Sequence, residues 1–249
     1  MKTLDFAAVK RFEDFRTLAT DDSLSKYERI GFPDSFREGK ERLIFDDIRA
    51  KLPLLDQQGK TVLDIGPGCS DIPQMMRAHC EAHQHQWVVA DSEEMLAHLP
   101  DAPFIHKIAG LFPLTAAEVK AQAGGVDVIL CYSVFHYIYT DTDYLGFIDA
   151  SIELLNGGGQ MLIGDIPNLD KRNRFFQSAN GIAFHQHYMN TKELPVITPN
   201  SPELNAIDDA VLDSIVAHVR MRGCDAYVVP QPEALPMANR RDDLLIRKP

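Results

Sequence analysis

Hydrophobic and polar positions change rhythm along this chain, and the changes divide it into four stretches. Leu4, Phe6, Val9, Phe12, Phe15 and Leu18 recur at helical spacing, which predicts an amphipathic N-terminal helix. A second helix is expected after "GFPDS". Ser35 and Glu38 have capping-box spacing there, and Leu43, Ile44, Ile48 and Leu52 supply an apolar face. From Thr61 the period shortens. The runs "TVLDI", "HQWVVAD", "PFIHKIAG", "VDVILCYS" and "QMLIGDI" read as strands, and the segments between the earlier ones as helices. The clearest helical stripe is Leu145, Ile148, Ile152 and Leu155, and "NGGGQ", Asn156 to Gln160, reads as a helix stop and turn before the fifth strand.

Beyond Pro167 the pattern lapses. Residues 168–205 hold Pro195, Pro199 and Pro202 with phenylalanines, histidines and a basic cluster in no clear period, so they read as an irregular insertion. Helical spacing resumes from Ile207 to Val219. "DAYVVP" and "DDLLIRKP" read as closing strands, the antiparallel edge pair of a mostly parallel sheet. The alternation predicts one α/β domain over residues 1–249, built on a doubly wound, mostly parallel, seven-stranded Rossmann-like sheet. Its parts are a helical cover (1–59), a core (60–167), the insertion (168–205) and closing elements (206–249).

Composition narrows the function classes. At 249 residues and 45% hydrophobic content, the chain can bury a full core. Its four cysteines show no CxxC spacing, which argues against a disulfide framework or zinc site and for a reducing cytoplasm. Charged residues interrupt the first twenty positions, so no signal peptide is expected, and no run is apolar enough to predict a membrane span. A formal net charge of -11 disfavours nucleic acid as a partner.

In open α/β sheets, ligands bind outside the carboxyl ends of the strands. The stretch "TVLDIGPGCSDIP" runs there from strand through a tight turn into a helix. Gly66 and Gly68 allow a ligand close to the backbone, and Asp91, about 20 residues on, is placed to accept hydrogen bonds from a ribose diol. The alternative for Asp64 and Asp91 is turn capping. The turn lacks the third glycine of a dinucleotide fingerprint, and Asp71 at the helix start opposes a pyrophosphate. S-adenosylmethionine carries no phosphate. Asp64 can offset its ammonium, and amides near Gly66 and Gly68 can meet its carboxylate.

"VLDIGPGCS", "VVADSEEML", "VDVILCYSVFHYI" and "LLNGGGQMLIGDI" resemble, in order and spacing, the successive motifs of class I S-adenosylmethionine-dependent methyltransferases, over roughly residues 61–167. The final "DDLLIRKP" also resembles that family's last strand. The resemblance implies S-adenosylmethionine as cofactor and a methyltransferase domain. It places Asp64, Gly66, Pro67 and Gly68 around the methionine portion, Asp91 on the ribose, and Ser92 and Met95 beside ribose and adenine. Ser70 stands where a third glycine is frequent. "KIAGLF" lacks the acidic residue that commonly meets adenine, which leaves backbone near Gly110; Cys131, near the end of the fourth strand, is a cofactor contact or a small packing residue rather than a nucleophile.

The acceptor side is less constrained. His136, in "CYSVFHYIYTD", is a candidate base or positioning group, the alternative being a packed histidine at a helix start. Tyr132 is a candidate to shape the pocket. In the insertion, Lys171, Arg172 and Arg174 beside Phe175 suit capture of an anion with an apolar face, or form a solvated face. His185, a rival base, and His187 read as acceptor contacts, and His83 and His85 as surface histidines; on a strand either pair could share a face toward a metal. The resemblance points to Asp165 and Asn168, since some class I small-molecule O-methyltransferases hold a divalent ion with acidic and amide groups after the fourth and fifth strands; the fourth strand here ends without a carboxylate, so no catalytic metal is expected, and Asp165 is a possible base or caps its own turn. "IGDIPNLDKRNRFF" is similar to segments of methyltransferases associated with bacterial surface-glycan assembly, which implies a small-molecule or sugar-type acceptor. The rival readings are a non-catalytic cofactor-binding scaffold and a nicotinamide-dependent oxidoreductase. The N-terminal helices are expected to cover the cofactor, pair in a homodimer, or both. "YERIGFPDSFREGKE" can also supply Arg37 or Lys40 to a ligand, although exposed helix charges are the default.

Overall fold

The computed structural model describes residue 9, residues 11–197 and residues 206–249. Seven strands form one sheet: β1 (Thr61–Ile65), β2 (Gln86–Asp91), β3 (Ile105–Ala109), β4 (Val126–Tyr132), β5 (Leu155–Pro167), β6 (Asp225–Pro230) and β7 (Arg241–Arg247). Their order is β3-β2-β1-β4-β5-β7-β6. β1 to β5 pair in parallel, while β7 runs antiparallel to both β5 and β6. The expected closing pair is present, but its antiparallel member lies one place in from the edge and β6 forms the edge. Strand order reverses between β1 and β4, which opens a crevice at their carboxyl ends.

The helices in chain order begin with α1 (Phe12–Ala19), α2 (Asp34–Arg37), α3 (Glu41–Lys51), α4 (Asp71–Ala82), α5 (Glu93–Leu96) and α6 (Ala116–Ala123). They continue with α7 (Phe135–Asp141), α8 (Tyr144–Leu154), α9 (Leu169–Gln177), α10 (Ala179–Tyr188) and α11 (Asp209–Met221). Both sheet faces are covered. Val119, Phe135, Phe147, Ile148 and Ile215 bring α6, α7, α8 and α11 onto one face, against Leu63, Ile129 and Ile163. Ile44, Ile48, Met76 and Leu96 bring α3, α4 and α5 onto the other, against Val62, Trp87 and Leu130. Double coverage is why the strands read as nearly continuous apolar runs.

Local chemistry explains where the structure departs from the pattern. The helix expected from Ser35 is two: α2 ends at Glu38, Gly39 takes φ +72, and α3 begins at Glu41. Ser35 is therefore no cap, and Leu43 is 43% exposed while Ile44, Ile48 and Leu52 are buried. "NGGG" does not precede β5 but bulges within it, between Leu155 opposite Val126 and Gln160 opposite Val128. The irregular insertion holds α9 and α10. Asn168 caps the first by accepting from Lys171 N at 3.1 Å, and Ser178 the second by accepting from Gly181 N at 3.1 Å. Neither helix buries an apolar face, since no residue of α9 and only Gly181 of α10 is buried, so no period marks them. Leu4, Phe6, Pro199 and Pro202 lie outside the described residues.

Candidate functional site

A cavity of about 530 Å³ opens at the carboxyl ends of β1, β2 and β4, within the range of small-molecule sites. At one end it is lined by Asp64, the Gly66–Gly68 turn, Ser70, Asp91, Met95 and Gly110. At the other it is lined by Phe15, Phe32, Arg37, Tyr132, Ser133 and Tyr137. Helix α1 bridges the two. Arg16 donates from Nη2 to Glu94 on α5 at 2.8 Å, and the Phe15 ring meets Tyr137 on α7 edge-on at 4.7 Å.

The glycine turn is built by close approach. Gly66 and Gly68 have φ +69 and +68, and a Cβ on either would lie 2.7 Å from Val134 Cγ2 or Ile30 Cγ2 respectively. Asp91 is capped as well as exposed to the cavity: Gly68 N donates to its Oδ2 at 3.1 Å and Ser92 N to its Oδ1 at 2.7 Å. The capping and ligand-binding readings of Asp91 are therefore compatible, because each carboxylate oxygen keeps a second lone pair. Gly68→Ala is expected to cost about 1–2 kcal/mol for the left-handed backbone plus the displacement of Ile30; urea unfolding measures it, and an unchanged midpoint would refute the geometry.

Charge is concentrated at this end. Burial, then the Asp91 charge, pushes Asp64 up to about 8, with the Trp87 indole offsetting part of the rise. Burial pushes Asp91 up to about 6, opposed by its bonds from Ser92 and Gly68. Two buried carboxylates facing a cavity are held at a cost that a bound cation would relieve. Asp71 contributes less than its position suggests, since Lys26 Nζ lies 2.5 Å from its Oδ2. What fills the space above Gly68 is Ile30.

The opposite end rests on a buried ionic network. Asp165, at φ +62, accepts from Arg37 Nη2 at 2.7 Å, Arg241 Nη1 at 2.8 Å and Ser133 Oγ at 2.5 Å. Ser133 itself has φ +64 and also accepts from Arg37 Nη2 at 2.6 Å. Burial alone would raise Asp165, but Arg241 and Arg37 reverse this and hold it below the ordinary carboxylate range. Its ion pairs make it the counter-ion of the two guanidiniums. Arg37 stacks on Phe32 at 4.1 Å, and its buried Nε has no partner. The Tyr132 ring lies where a Gly164 side chain would be, 2.3 Å from an ideal Cβ, so glycine on β5 makes room for it. Tyr27 donates to Glu41, both lining the cavity.

Of the residues singled out from sequence, Asp64, Gly66, Pro67, Gly68, Ser70, Asp91, Met95, Gly110 and Tyr132 line this cavity. The others do not. Ser92 caps α5 by accepting from Met95 N at 3.2 Å. Cys131 is wholly buried in the core, because alternation on β4 turns it to the face away from Leu130 and Tyr132. His136 packs on Tyr137, ring centroids 3.8 Å apart, with Nδ1 buried and unpartnered. Burial, then Arg241, lowers it to about 3, so at neutral pH it is an uncharged and very weak base. His185 and His187 lie on α10, where residues two apart point to different sides, so they cannot share a metal-facing side. His185 packs edge-on against Phe176 and His187 is exposed. Lys171 pairs with Asp242 at 2.6 Å and Arg174 with Asp209, so these two cations are neutralised within the chain. Lys171 and Phe175 line a separate, more open cleft with Phe184 and Arg240, which Arg172 does not join. Asn168 is occupied by Asp209 and Asp242 at 2.7 and 2.9 Å. His85 is not a surface histidine but fully buried.

Sequence reasoning missed Ser133, Tyr27 and Glu41, and named Arg37 as a ligand contact only against the default of an exposed helix charge. Arg37 is 3% exposed, against the default for a helix charge. The one available signal was the short "FPDSFREGKE" segment, whose Pro33 and Gly39 turn α2 back over the sheet.

No family model matches the chain, and a comparison with curated proteins returns no match. Solved structures do resemble it. The plantazolicin methyltransferase BpumL, in complex with a triazolic desmethylPZN analog and SAH, aligns with TM-score 0.59 and 10% identity over 95% of this chain and 98% of that one. An O-methyltransferase family protein from Burkholderia thailandensis aligns with TM-score 0.53 and 17% identity, over 96% of this chain and 63% of that one. The N-methyltransferase NodS from Bradyrhizobium japonicum WM9 aligns with TM-score 0.50 and 14% identity, over 87% and 99%. At such identities the likeness speaks for architecture: this chain has the Rossmann-like fold that these methyltransferases share.

Proposed function

We propose that this protein is an S-adenosylmethionine-dependent methyltransferase acting on a small-molecule acceptor. The observation that carries the reading is one cavity joining Asp64, the glycine turn and Asp91 to an aromatic end containing Tyr132, Tyr137 and Arg37. The donor set suits the cofactor: Asp64 for its ammonium, the turn amides for its carboxylate, and the free lone pairs of Asp91 for ribose hydroxyls. BpumL's complex with SAH supports this by analogy. When bound, the cofactor supplies an electrophilic methyl group on a sulfonium. The chain's own tasks are then alignment and exclusion of water, and α1, clamped at Glu94 and Tyr137, suits the second.

The acceptor end favours an apolar or aromatic body over a sugar, because Phe12, Phe15 and Phe32 line it. Burial raises Tyr137 to about 12 and holds Tyr132 well above its ordinary value, so both remain protonated and available to donate a hydrogen bond to an acceptor. With His136 so weakly basic, the reading is an acceptor that brings its own nucleophile, an amine or a carboxylate, for N- or O-methylation. Calorimetric titration with S-adenosylmethionine, S-adenosylhomocysteine and NADH tests the cofactor. Binding of the first two without the third is expected; binding of NADH alone would overturn the proposal, and cofactor binding without transfer to any amine or carboxylate acceptor would favour a scaffold.

A further inference from the structure

The sequence "HCEAHQH", His79 to His85, plays no part in the cavity, yet the fold gathers its histidines at the opposite end of α4. Ser70, capping the start of this helix, lines the cavity; His79 and the capping His83 mark its far end, about 18 Å away for twelve residues. The ring centroids of His79 and His83 are 4.0 Å apart, and those of His83 and His85 5.7 Å. A short turn at Pro53–Asp56 brings Asp56 alongside.

We propose that Asp56, His79 and His83 bind a divalent transition-metal ion of the Zn²⁺ type. One ligand atom from each lies within 4.8 Å of the others. Ligands on a tetrahedral zinc ion, with bonds of about 2.0–2.1 Å, sit roughly 3.3 Å apart. His79 Nε2 already lies 3.3 Å from Asp56 Oδ1, so the imidazole and the carboxylate stand side by side. A modest rotation of His83, which is partly exposed, closes the third side and leaves a fourth position for water.

The surrounding hydrogen bonds prepare the ligands. His83 Nδ1 lies 3.0 Å from the His79 carbonyl oxygen and must donate to it, which leaves Nε2 with its lone pair outward. A ligating histidine ordinarily gives its other ring N–H to such a carbonyl. His79 Nε2 donates to the Leu55 carbonyl oxygen at 2.8 Å, so metal binding requires its proton to move to Nδ1. That oxygen does not depend on it, because His85 Nε2 also reaches it at 2.9 Å, and His85 is fixed as the Nε2–H tautomer by accepting from Lys60 N at Nδ1. Asp56 is held by Arg49 through Oδ1, at 2.8 and 2.9 Å, which leaves Oδ2 free to turn to a cation. Two imidazoles and one carboxylate match Zn²⁺, Co²⁺ or Ni²⁺, whereas Mg²⁺ and Ca²⁺ prefer all-oxygen sites. The ion would tie the turn before β1 to the end of α4, bracing the helix whose other end meets the cofactor.

The test is titration of tag-free, chelator-treated full-length protein with Co²⁺, followed by visible absorption, then displacement by Zn²⁺. Expected are saturation at one Co²⁺ per chain with the intense bands of a tetrahedral site, loss of that binding in His83→Gln, and its retention in His106→Gln, a histidine outside the cluster. Zn²⁺ should raise the thermal midpoint of wild type and not of His83→Gln. His83 caps the helix from a partly exposed position, and circular dichroism checks that its variant is folded. No saturable Co²⁺ binding, or equal binding by the folded His83→Gln protein, overturns the proposal.

Discussion

Asp64→Asn is expected to weaken binding of S-adenosylmethionine about tenfold to 150-fold, the loss of one charge-assisted hydrogen bond worth about 1.5–3 kcal/mol, without destabilising the ligand-free protein. The second half follows from the sign of the shift. In the fold Asp64 titrates at about 8, against 3.8 for the unreacted side chain, because it is buried and lies near Asp91. A carboxyl group raised in this way favours the folded state at acid pH and loses that contribution as pH rises from 3.8 through about 8. Asparagine removes the charge and therefore the loss, so at pH 8 the ligand-free variant should melt no lower than wild type. Cofactor binding works in the opposite direction: an ammonium favours the carboxylate, so affinity in wild type rises with pH up to about 8 and binding releases protons at pH 7. Calorimetry in buffers of different ionisation enthalpy counts those protons, and the variant should release fewer. Equal affinity and equal proton release in the two proteins would remove Asp64 from the site.

Both carboxylates of the cofactor end were legible because their positions follow from strand period and turn chemistry. A strand buried on both faces, ending in glycines at positive φ, leaves Asp64 and Asp91 at carboxyl ends whatever the rest of the chain does. The burial of Arg37 was not legible, because it depends on where α2 stops. Nothing local says that Gly39 bends the chain so that a guanidinium reaches Asp165, 128 positions away. His136 was found by position with two readings open, and burial and Arg241, neither readable from "VFHYI", favour the packed one by making it so weak a base. Lys171 and Arg174 looked free for an anion because Asp242 and Asp209 lie far along the sequence. Helices α9 and α10 escaped because they bury almost no apolar face, and the cap residues Asn168 and Ser178 were their only signal.

Asp165→Asn should have the larger effect on the fold, a loss of about 3–5 kcal/mol and a fall in thermal midpoint of about 6–20 °C for a chain of this size. Three features make the substitution a clean removal of charge. Asparagine tolerates the left-handed backbone at φ +62; its carbonyl can still accept from Ser133; and the backbone bond from residue 165 N to Asp243 Oδ1, 2.7 Å, is untouched. What disappears is, among the described residues, the only carboxylate paired with the Arg37 and Arg241 guanidiniums, whose side chains are 4% and 11% exposed. At such burial, solvent cannot take over the screening, so the full cost of unpaired charge is felt. The pH dependence gives an independent check. Arg241 and Arg37 hold Asp165 below its ordinary 3.8, so the carboxylate contributes its stability above that value and loses it only as pH falls through the lower folded value. The midpoints of wild type and variant should therefore stay apart across neutral and mildly acid pH and converge only below about 3.8. A variant within about 1 °C of wild type at pH 7, well under the shift for 1 kcal/mol, would mean that the Arg37–Asp165–Arg241 network does not hold this end of the cavity together.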